Sequence, residues 1–319
     1  MPFVSPTKQE SRVLPEEDGL TLSAVVRSRL AAAGAGASWS RARELCERGK
    51  VLLDGRPELD AAARVKSGQG LAIDPHARAP KPPTAAKIVF EDAYLVVIDK
   101  PSGVPSVPFV EGETGTAIDS VREAWRHKGR RSVAHGLRVV HRIDKETSGL
   151  LAFAKGSRAQ EALKALFHAH DIERAYLCVA FGRVSDRTIE SMLAPDRGDG
   201  LRGSTRRPGT GKRALTHVRA LEHLGPATLC EARLETGRTH QIRIHLSEAG
   251  HPIIGERVYI RECGEKELEL IESARLLLHA ATLGFVHPFT GARVRLSSPL
   301  PEDFAAELAR LRRVGRIGT

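Results

Sequence analysis

Residues 141–155 read His-Arg-Ile-Asp-Lys-Glu-Thr-Ser-Gly-Leu-Leu-Ala-Phe-Ala-Lys, and they constrain this chain more than any other segment. A carboxylate, Asp144, follows two cationic or ionisable side chains, and a turn of small residues then enters an apolar run. Leu150, Leu151 and Phe153 suit a buried strand, so Asp144 belongs where the chain leaves a surface loop for the core. A carboxylate held there is fixed by the fold yet reachable by a ligand, which suits a nucleophile.

The pattern around this segment predicts the rest of one large domain, residues 87–319. Ile88–Phe90 and Tyr94–Ile98 read as strands separated by Glu91-Asp92, with Lys-Pro-Ser-Gly-Val-Pro-Ser-Val-Pro after them as a loop. Ser157 and Gln160 form a capping box for a helix whose apolar positions Ala159, Ala162, Leu163, Leu166 and Phe167 follow helical spacing. Arg174–Phe181, Leu215–Leu221 and Thr228–Leu234 read as strands, Thr239–Ala249 as a helix stopped by Gly250 and Pro252, and Pro301–Arg312 as a terminal helix. Residues 182–212, rich in Arg and Gly, are expected to be a flexible basic insertion. Strands adjoining strands imply an α+β class with a mixed, largely antiparallel sheet.

Ahead of this domain the sequence predicts a flexible arm over residues 1–18, a small α/β domain over 19–74 and a linker over 75–86. In the small domain Ser40 is the expected N-cap of a helix through Arg48, Gly49 stops it, and Lys50–Leu53 forms a strand turning at Asp54-Gly55. The linker carries prolines without periodicity, so it should run extended.

Charge narrows the partners. Lys and Arg number 49 against 39 Asp and Glu, a net charge of +10, which favours a polyanion such as nucleic acid over an acidic metabolite. Cys46, Cys178, Cys230 and Cys263 are too far apart in sequence for a Cys-x-x-Cys clamp and read as reduced core thiols. The first residues lack an apolar stretch of signal-peptide length, and no segment approaches the roughly twenty apolar residues of a membrane span. The expectation is a cytoplasmic protein with no membrane partner.

The segment HRIDKETSGLLAFAK resembles the active-site motif of the RluA-type pseudouridine synthases, in which a His-Arg-hydrophobic-Asp run precedes Thr-Ser-Gly. TGRTHQIRIHL, residues 236–246, resembles the same family's later arginine motif, and LLLHAATLGFVHPFTG, residues 276–291, resembles a family segment that is structural, making His279 and His287 scaffold. SWSRARELCERGKVLLDGR resembles the S-four-type RNA-binding domain, although Leu20–Val26 lacks that domain's usual Arg-Leu-Asp opening.

The resemblance implies an RNA pseudouridine synthase that breaks the bond from the anomeric carbon to uracil nitrogen, turns the base and rejoins it through carbon five. No redox change or hydrolysis occurs, so no cofactor and no metal is expected. Asp144 is then the catalytic group, attacking the sugar or acting as base while a glycal forms. Arg243 is the expected ion-pair partner that keeps it charged, and Tyr176 the aromatic beside the target base.

Arg142 is expected to stack on bases as the uridine leaves its helix, and His141 either to bind phosphate or to brace the loop. Arg238, together with Arg41, Arg43, Arg48 and Lys50 of the small domain, completes the expected RNA contacts. The S-four-type arrangement favours ribosomal over transfer RNA, acted on by a monomer. The alternative is a non-catalytic RNA-binding assembly factor on the same scaffold.

Other motifs fit less well. His-Arg-Ile-Asp superficially matches a kinase catalytic loop, but Gly149 stands where that loop needs asparagine. His240 and His245 are five apart with no Glu between them, unlike a helical zinc pair, and read as RNA-facing or packing residues. One departure from the family stands out. Its usual Gly-Asp-x-x-Tyr-Gly is replaced here by Gly255-Glu256-Arg257-Val258-Tyr259-Ile260, an altered loop expected to bear on substrate choice.

Overall fold

The computed structural model describes residues 8–34, 37–58, 61–77, 87–109, 115–127, 136–197, 200–260 and 272–317. The chain divides into two units, Met1–Lys81 and Pro82–Thr319. Most of the expected linker, residues 78–86, lies outside the described residues, as do residues 1–7 and Cys263.

In the first unit, strands β1 (Gln9–Arg12), β2 (Val51–Leu53), β3 (Arg56–Pro57) and β4 (Gly70–Ile73) form an antiparallel sheet in the order β1-β4-β2-β3. Helices α1 (Leu22–Ala32) and α2 (Trp39–Glu47) enclose a core of Leu22, Val25, Val26, Leu45, Val51 and Leu71. Residues 9–18 are therefore not a free arm. β1 closes the sheet, and Glu17 accepts from both the Leu14 amide and the Arg29 guanidinium, at 2.9 and 2.6 Å.

The cap of α2 also differs from expectation. Ser38, not Ser40, accepts the Arg41 amide, because Ser38 is the residue with extended backbone before the first turn. The stop and the turn are as expected: Gly49 takes φ 66° after the helix, and Asp54-Gly55, with φ 48° and 77°, joins β2 to β3 as a hairpin of the left-handed type.

The second unit holds, among the described residues, an eleven-stranded sheet. Its strands are β5 (Lys87–Glu91), β6 (Leu95–Lys100), β7 (Leu137–Val139), β8 (Ser148–Lys155), β9 (Glu173–Phe181), β10 (Arg187–Ala194), β11 (Gly203–Ser204), β12 (Lys212–His223), β13 (Ala227–Leu234), β14 (Leu278–Val286) and β15 (Arg293–Ser297). The main order is β11-β10-β12-β13-β9-β14-β8-β6-β5, with β15 beside β14 and β7 beside β8.

The central strands are apolar without interruption because both faces are covered. Along β6 and β8, Val96, Ile98, Leu151 and Phe153 enter one core with Ile118 and Trp125 of α3 (Ala117–His127) and Phe304 of α6 (Glu302–Ile317). The alternate residues Leu95, Val97, Leu150 and Ala152 face the other side, against Ala159 and Leu163 of α4 (Ser157–Ala169). A further helix, α5 (Gln241–Glu248), packs near β10 and β12.

Two sequence expectations change here. α4 has no capping box: Gly156 is its N-cap, with φ 104°, and the Gln160 side-chain Nε2 instead donates to the Val139 carbonyl at 2.7 Å. Residues 182–212 are not a loose insertion, since β10 and β11 extend the sheet from β12. The alternation Ile189, Ser191, Leu193 is too weak beside so many Arg and Gly residues to read as strand. Cys46, Cys178 and Cys230 are buried. Among the described residues no helix is long and apolar enough to cross a membrane.

Every strand pair in the large sheet is antiparallel except one. β8 and β14 run parallel, with His279 opposite Ser148 and Ala280 opposite Gly149. Gly149 takes φ 108°, and a Cβ there would lie 2.3 Å from the Ala280 carbonyl oxygen, so only glycine allows this approach. Gly149→Ala combines left-handed strain with a backbone clash and should cost more than about 3 kcal/mol. Thermal or denaturant unfolding checks this, and a midpoint equal to wild type would disprove it.

Candidate active site

Asp144 sits at the mouth of β8, five residues before Gly149, on a loop in which the carbonyls of residues 143, 145 and 146 are held by residues 100–106. Ser106 donates to the Ile143 carbonyl at 2.6 Å and accepts from its amide at 3.2 Å. The Gly103 amide donates to the Lys145 carbonyl at 2.9 Å, and the Ser102 hydroxyl to that of Glu146 at 2.7 Å. Lys100, completely buried, donates to the carbonyls of Pro101, Val104 and Lys145 at 2.9, 2.7 and 2.9 Å. Burial draws its pKa down to about 7, against the pull of Glu146 and Asp144. The Lys-Pro-Ser-Gly loop after β6 is thus a bracket for the Asp144 loop.

His141 is a second brace. Its Nε2 accepts the Ala152 amide at 3.0 Å and its ring stacks on Phe167 at 4.5 Å. Burial, helped by Arg174, lowers its pKa to about 3, so the ring is neutral near pH 7. These are the contacts of a brace, one of the two sequence readings of His141, and with Nε2 accepting they leave the ring hydrogen on Nδ1. Arg142 beside it points to solvent.

Three elements converge on the aspartate. Tyr176 lies mid-way along β9, between Ala232 of β13 and Ala280 of β14. Burial pushes its hydroxyl up to about 12, with Arg174 opposing and Asp144 adding, so it is a neutral phenol within reach of the aspartate's charge. Arg243 lies on α5 and is almost wholly buried.

The expected direct ion pair between Arg243 and Asp144 is not formed. Both prongs of the guanidinium go to Glu256, at 2.7 Å each. Burial opposes the charge on Arg243, and Glu256 overrides it, so its pKa is raised; Asp144 adds to the effect from further off. The Glu256 carboxyl is held below its usual range by the same pairing, against its own burial, and also accepts the amides of Arg257 and Val258 at 3.0 and 2.9 Å.

The side chain that does face Asp144 is His240, whose Nε2 stands 4.0 Å from Oδ1. Its Nδ1 meets the Tyr259 hydroxyl at 2.6 Å, and the Arg243 guanidinium lies over the Tyr259 ring at 5.3 Å. Asp144, His240, Tyr259, Arg243 and Glu256 therefore form one connected set.

Sequence reasoning missed four members of this site. Glu256 and Tyr259 lay in the segment that departs from the family pattern, which was the available signal. Lys100, a cation ending an apolar strand, was another. His240 lies in the TGRTHQIRIHL motif and reads there only as an RNA-facing or packing residue, with no pointer to Asp144. Its neighbour His245 is buried, with Thr216 and Ser191 each within hydrogen-bond distance, as a packing residue would be. Arg238 donates to the Arg213 carbonyl at 2.9 Å from an exposed position. In the small unit Arg41 and Arg48 flank Glu44 at 3.0 and 3.2 Å, Arg43 is exposed, and the Lys50 ammonium donates to the Ala77 carbonyl at 2.6 Å.

Comparison with known proteins gives the family and the fold. Residues 94–248 match the model of the RNA pseudouridylate synthase family. The chain is 38% identical over 223 residues to ribosomal large subunit pseudouridine synthase D of Zymomonas mobilis, covering 68% of this chain and 70% of that protein. The same-named protein of Xanthomonas campestris is 35% identical over 288 residues, covering 86% and 85%.

Among solved structures, human RNA pseudouridylate synthase domain containing 4 shares the fold with a TM-score of 0.58 at 24% identity. That likeness covers 71% of this chain and 93% of the other. Human RNA pseudouridylate synthase domain containing 1 does so with a TM-score of 0.55 at 23% identity, covering 74% and 97%. The chain belongs to the RNA pseudouridylate synthase family and is an isomerase of that class.

The buried pair carries a stability prediction. Glu256→Gln leaves the Arg243 guanidinium buried without its countercharge and should destabilise the protein by about 3 kcal/mol or more. Denaturant unfolding measures this, and an unchanged midpoint would show that the pair contributes nothing net.

Proposed function

We propose that this chain converts uridine to pseudouridine in large-subunit ribosomal RNA, with Asp144 as the reacting carboxylate. The observation that carries the reading is the seating of Asp144. A partly exposed carboxylate stands on a loop bracketed by Ser102, Ser106 and Lys100, with the Tyr176 phenol nearby. That arrangement holds one anion beside a reacting sugar, which is what rejoining a base through a different atom requires. The names of the relatives support the ribosomal substrate.

The target uridine must leave its stack before its sugar reaches Asp144, at a cost of a few kcal/mol. Arg142, exposed two residues away, is the side chain to fill the vacated space, and the exposed Arg238 is a phosphate contact. Tyr176 flanks the freed base. Arg243 acts on Asp144 at longer range, through the set built with Glu256. Residues 19–74 serve as an S-four-type RNA-binding module, with Arg41, Arg43 and Arg48 as contacts; Lys50 is the weakest of the four because its ammonium is engaged internally. With a ribosomal substrate the protein would work in the cytoplasm, as a monomer. A non-catalytic role on the same scaffold leaves the rigid bracketing of Asp144 without a use.

Asp144→Asn keeps shape and removes charge. It should lower the single-turnover rate of pseudouridine formation about 10³-fold or more while RNA affinity and folding stay near wild type. Activity within tenfold of wild type would sink the assignment.

Replacing Arg41, Arg43 and Arg48 by Ala should weaken binding to all target RNAs alike. It should also flatten the dependence of log affinity on log salt by roughly one unit per phosphate contact removed, with turnover at saturating RNA unchanged. An unaltered affinity and slope would make these arginines a solvated face.

A further inference from the structure

We propose that His240 is a positioning residue for the reaction, presenting an Nε2 hydrogen to one oxygen of the Asp144 carboxylate while the Tyr259 hydroxyl fixes the imidazole from behind. The inference rests on the reading of Asp144 given above.

Backbone conformation is the first observation. Among the described residues, three other than glycine have positive φ: Asp54, His170 and His240. Asp54 lies in a hairpin turn and His170 caps the C-terminus of α4, where left-handed backbone is ordinary. His240 precedes the N-terminus of α5, where the capping residue is normally extended and its side chain bonds the first turn. Here φ is 58° and ψ 19°, and the side chain makes no such bond. A strained residue that forgoes its cap persists only where its surroundings fix it, and such residues gather at functional sites.

The surroundings do fix it. Gln241, buried next in sequence, accepts from the Arg238 amide and the Thr236 hydroxyl at 3.0 and 2.8 Å. It donates to the Leu215 carbonyl and the Thr216 hydroxyl at 3.0 and 2.9 Å. This locks the turn from which His240 projects. Tyr259 is equally constrained. Its ring lies beneath Arg243, its carbonyl accepts from Ser247, and its loop is held by Glu256.

The second observation is the orientation of the two ring nitrogens. Nδ1 is 2.6 Å from the Tyr259 hydroxyl and Nε2 is 4.0 Å from Asp144 Oδ1. Burial raises the Tyr259 pKa well above that of a free phenol, with Arg243 opposing, so the hydroxyl keeps its proton and is able to donate to Nδ1, while the Asp144 carboxylate facing Nε2 can only accept and so favours the tautomer with its hydrogen there. A neutral imidazole then carries its own hydrogen on Nε2, and an imidazolium carries one there too. In either state an N–H faces the carboxylate. The separation exceeds a hydrogen bond by about 1 Å, as it often does in a free enzyme whose contacts tighten on substrate. When it closes, Oδ1 is occupied and Oδ2 is left toward the sugar.

Variants of His240 test this through single-turnover rate, RNA affinity and thermal unfolding. Asn tolerates left-handed backbone and reaches Tyr259 but not Asp144, whereas Gln carries an amide N–H out to the Nε2 position. His240→Asn should lower the rate about 10- to 100-fold, the loss of one hydrogen bond to a charged group, with RNA affinity and unfolding midpoint unchanged. His240→Gln should recover most of the rate. Tyr259→Phe should show a smaller loss that does not add to that of His240→Asn, because both act through one N–H. The proposal is overturned if His240→Asn reacts as fast as wild type, or if Asn and Gln are equally slow with midpoints unchanged. Asp144→Asn is the control: if it stays active, the reading of Asp144 fails first, whereas an inactive Asp144→Asn beside a fully active His240→Asn refutes the His240 proposal alone.

Discussion

The close approach of Gly149 to Ala280 is the constraint on which the site depends. It joins two antiparallel half-sheets through their one parallel ladder, and it does so five residues after Asp144. Any side chain at 149 would push β8 from β14 and carry the Asp144 loop with it. The Thr-Ser-Gly run is thus a packing requirement: Ser148, bonded to Arg275 at 2.7 Å and within 2.9 Å of a His279 ring nitrogen, and Gly149 hold the seam, and the aspartate is placed relative to that seam. Tyr176 opposes the same Ala280 from β9, so Asp144 and Tyr176 both take their positions from one backbone contact.

Charge is arranged in two tiers around this seam. The inner tier is buried and internally satisfied: Lys100 on three carbonyls, Arg243 on Glu256, His141 neutral under an amide. The outer tier, Arg142 and Arg238, is exposed. A buried cation held by its own partner adds a fixed field without reorganising when a substrate arrives, which is the property electrostatic catalysis needs. An exposed guanidinium, by contrast, keeps its freedom to stack or pair with an incoming strand. These basic residues are therefore divided between a buried set that builds the site and an exposed set that the proposed function assigns to RNA.

Much of this was legible in the sequence, for local reasons. The loop-to-strand passage at 141–155, the strands around it, the Asp54-Gly55 hairpin and the Gly49 stop all follow from residue types acting on their nearest neighbours. What was not legible depends on distance or backbone. Arg243 matched the family motif, but its partner is set by which carboxylate shares its pocket, and Glu256 arrives there from a loop 13 residues on. Residues 9–12 look polar and unpatterned because β1 is an exposed edge strand whose stability comes from pairing with β4. β10 hides among Arg and Gly because half of its face is solvated. The left-handed turn at His240 has no signature at all, since nothing but the packed Gln241 and Tyr259 demands it.

The departure at Glu256 ties these points together. A carboxylate in that loop with both oxygens engaged by Arg243, and with backbone amides gathered behind it, makes the arginine a fixed strut between α5 and the Tyr259 loop. Tyr259 is then rigid, and a rigid Tyr259 can hold the ring of His240. Asp144 thereby feels Arg243 through space and through a chain of three contacts, each buried or half-buried. Flipping a uridine costs a few kcal/mol that binding must offset, so a loop that also had to order itself on binding would add its own entropy to that cost. Bracketing Asp144 from the β6 loop on one side and facing it with His240 on the other settles that ordering when the protein folds.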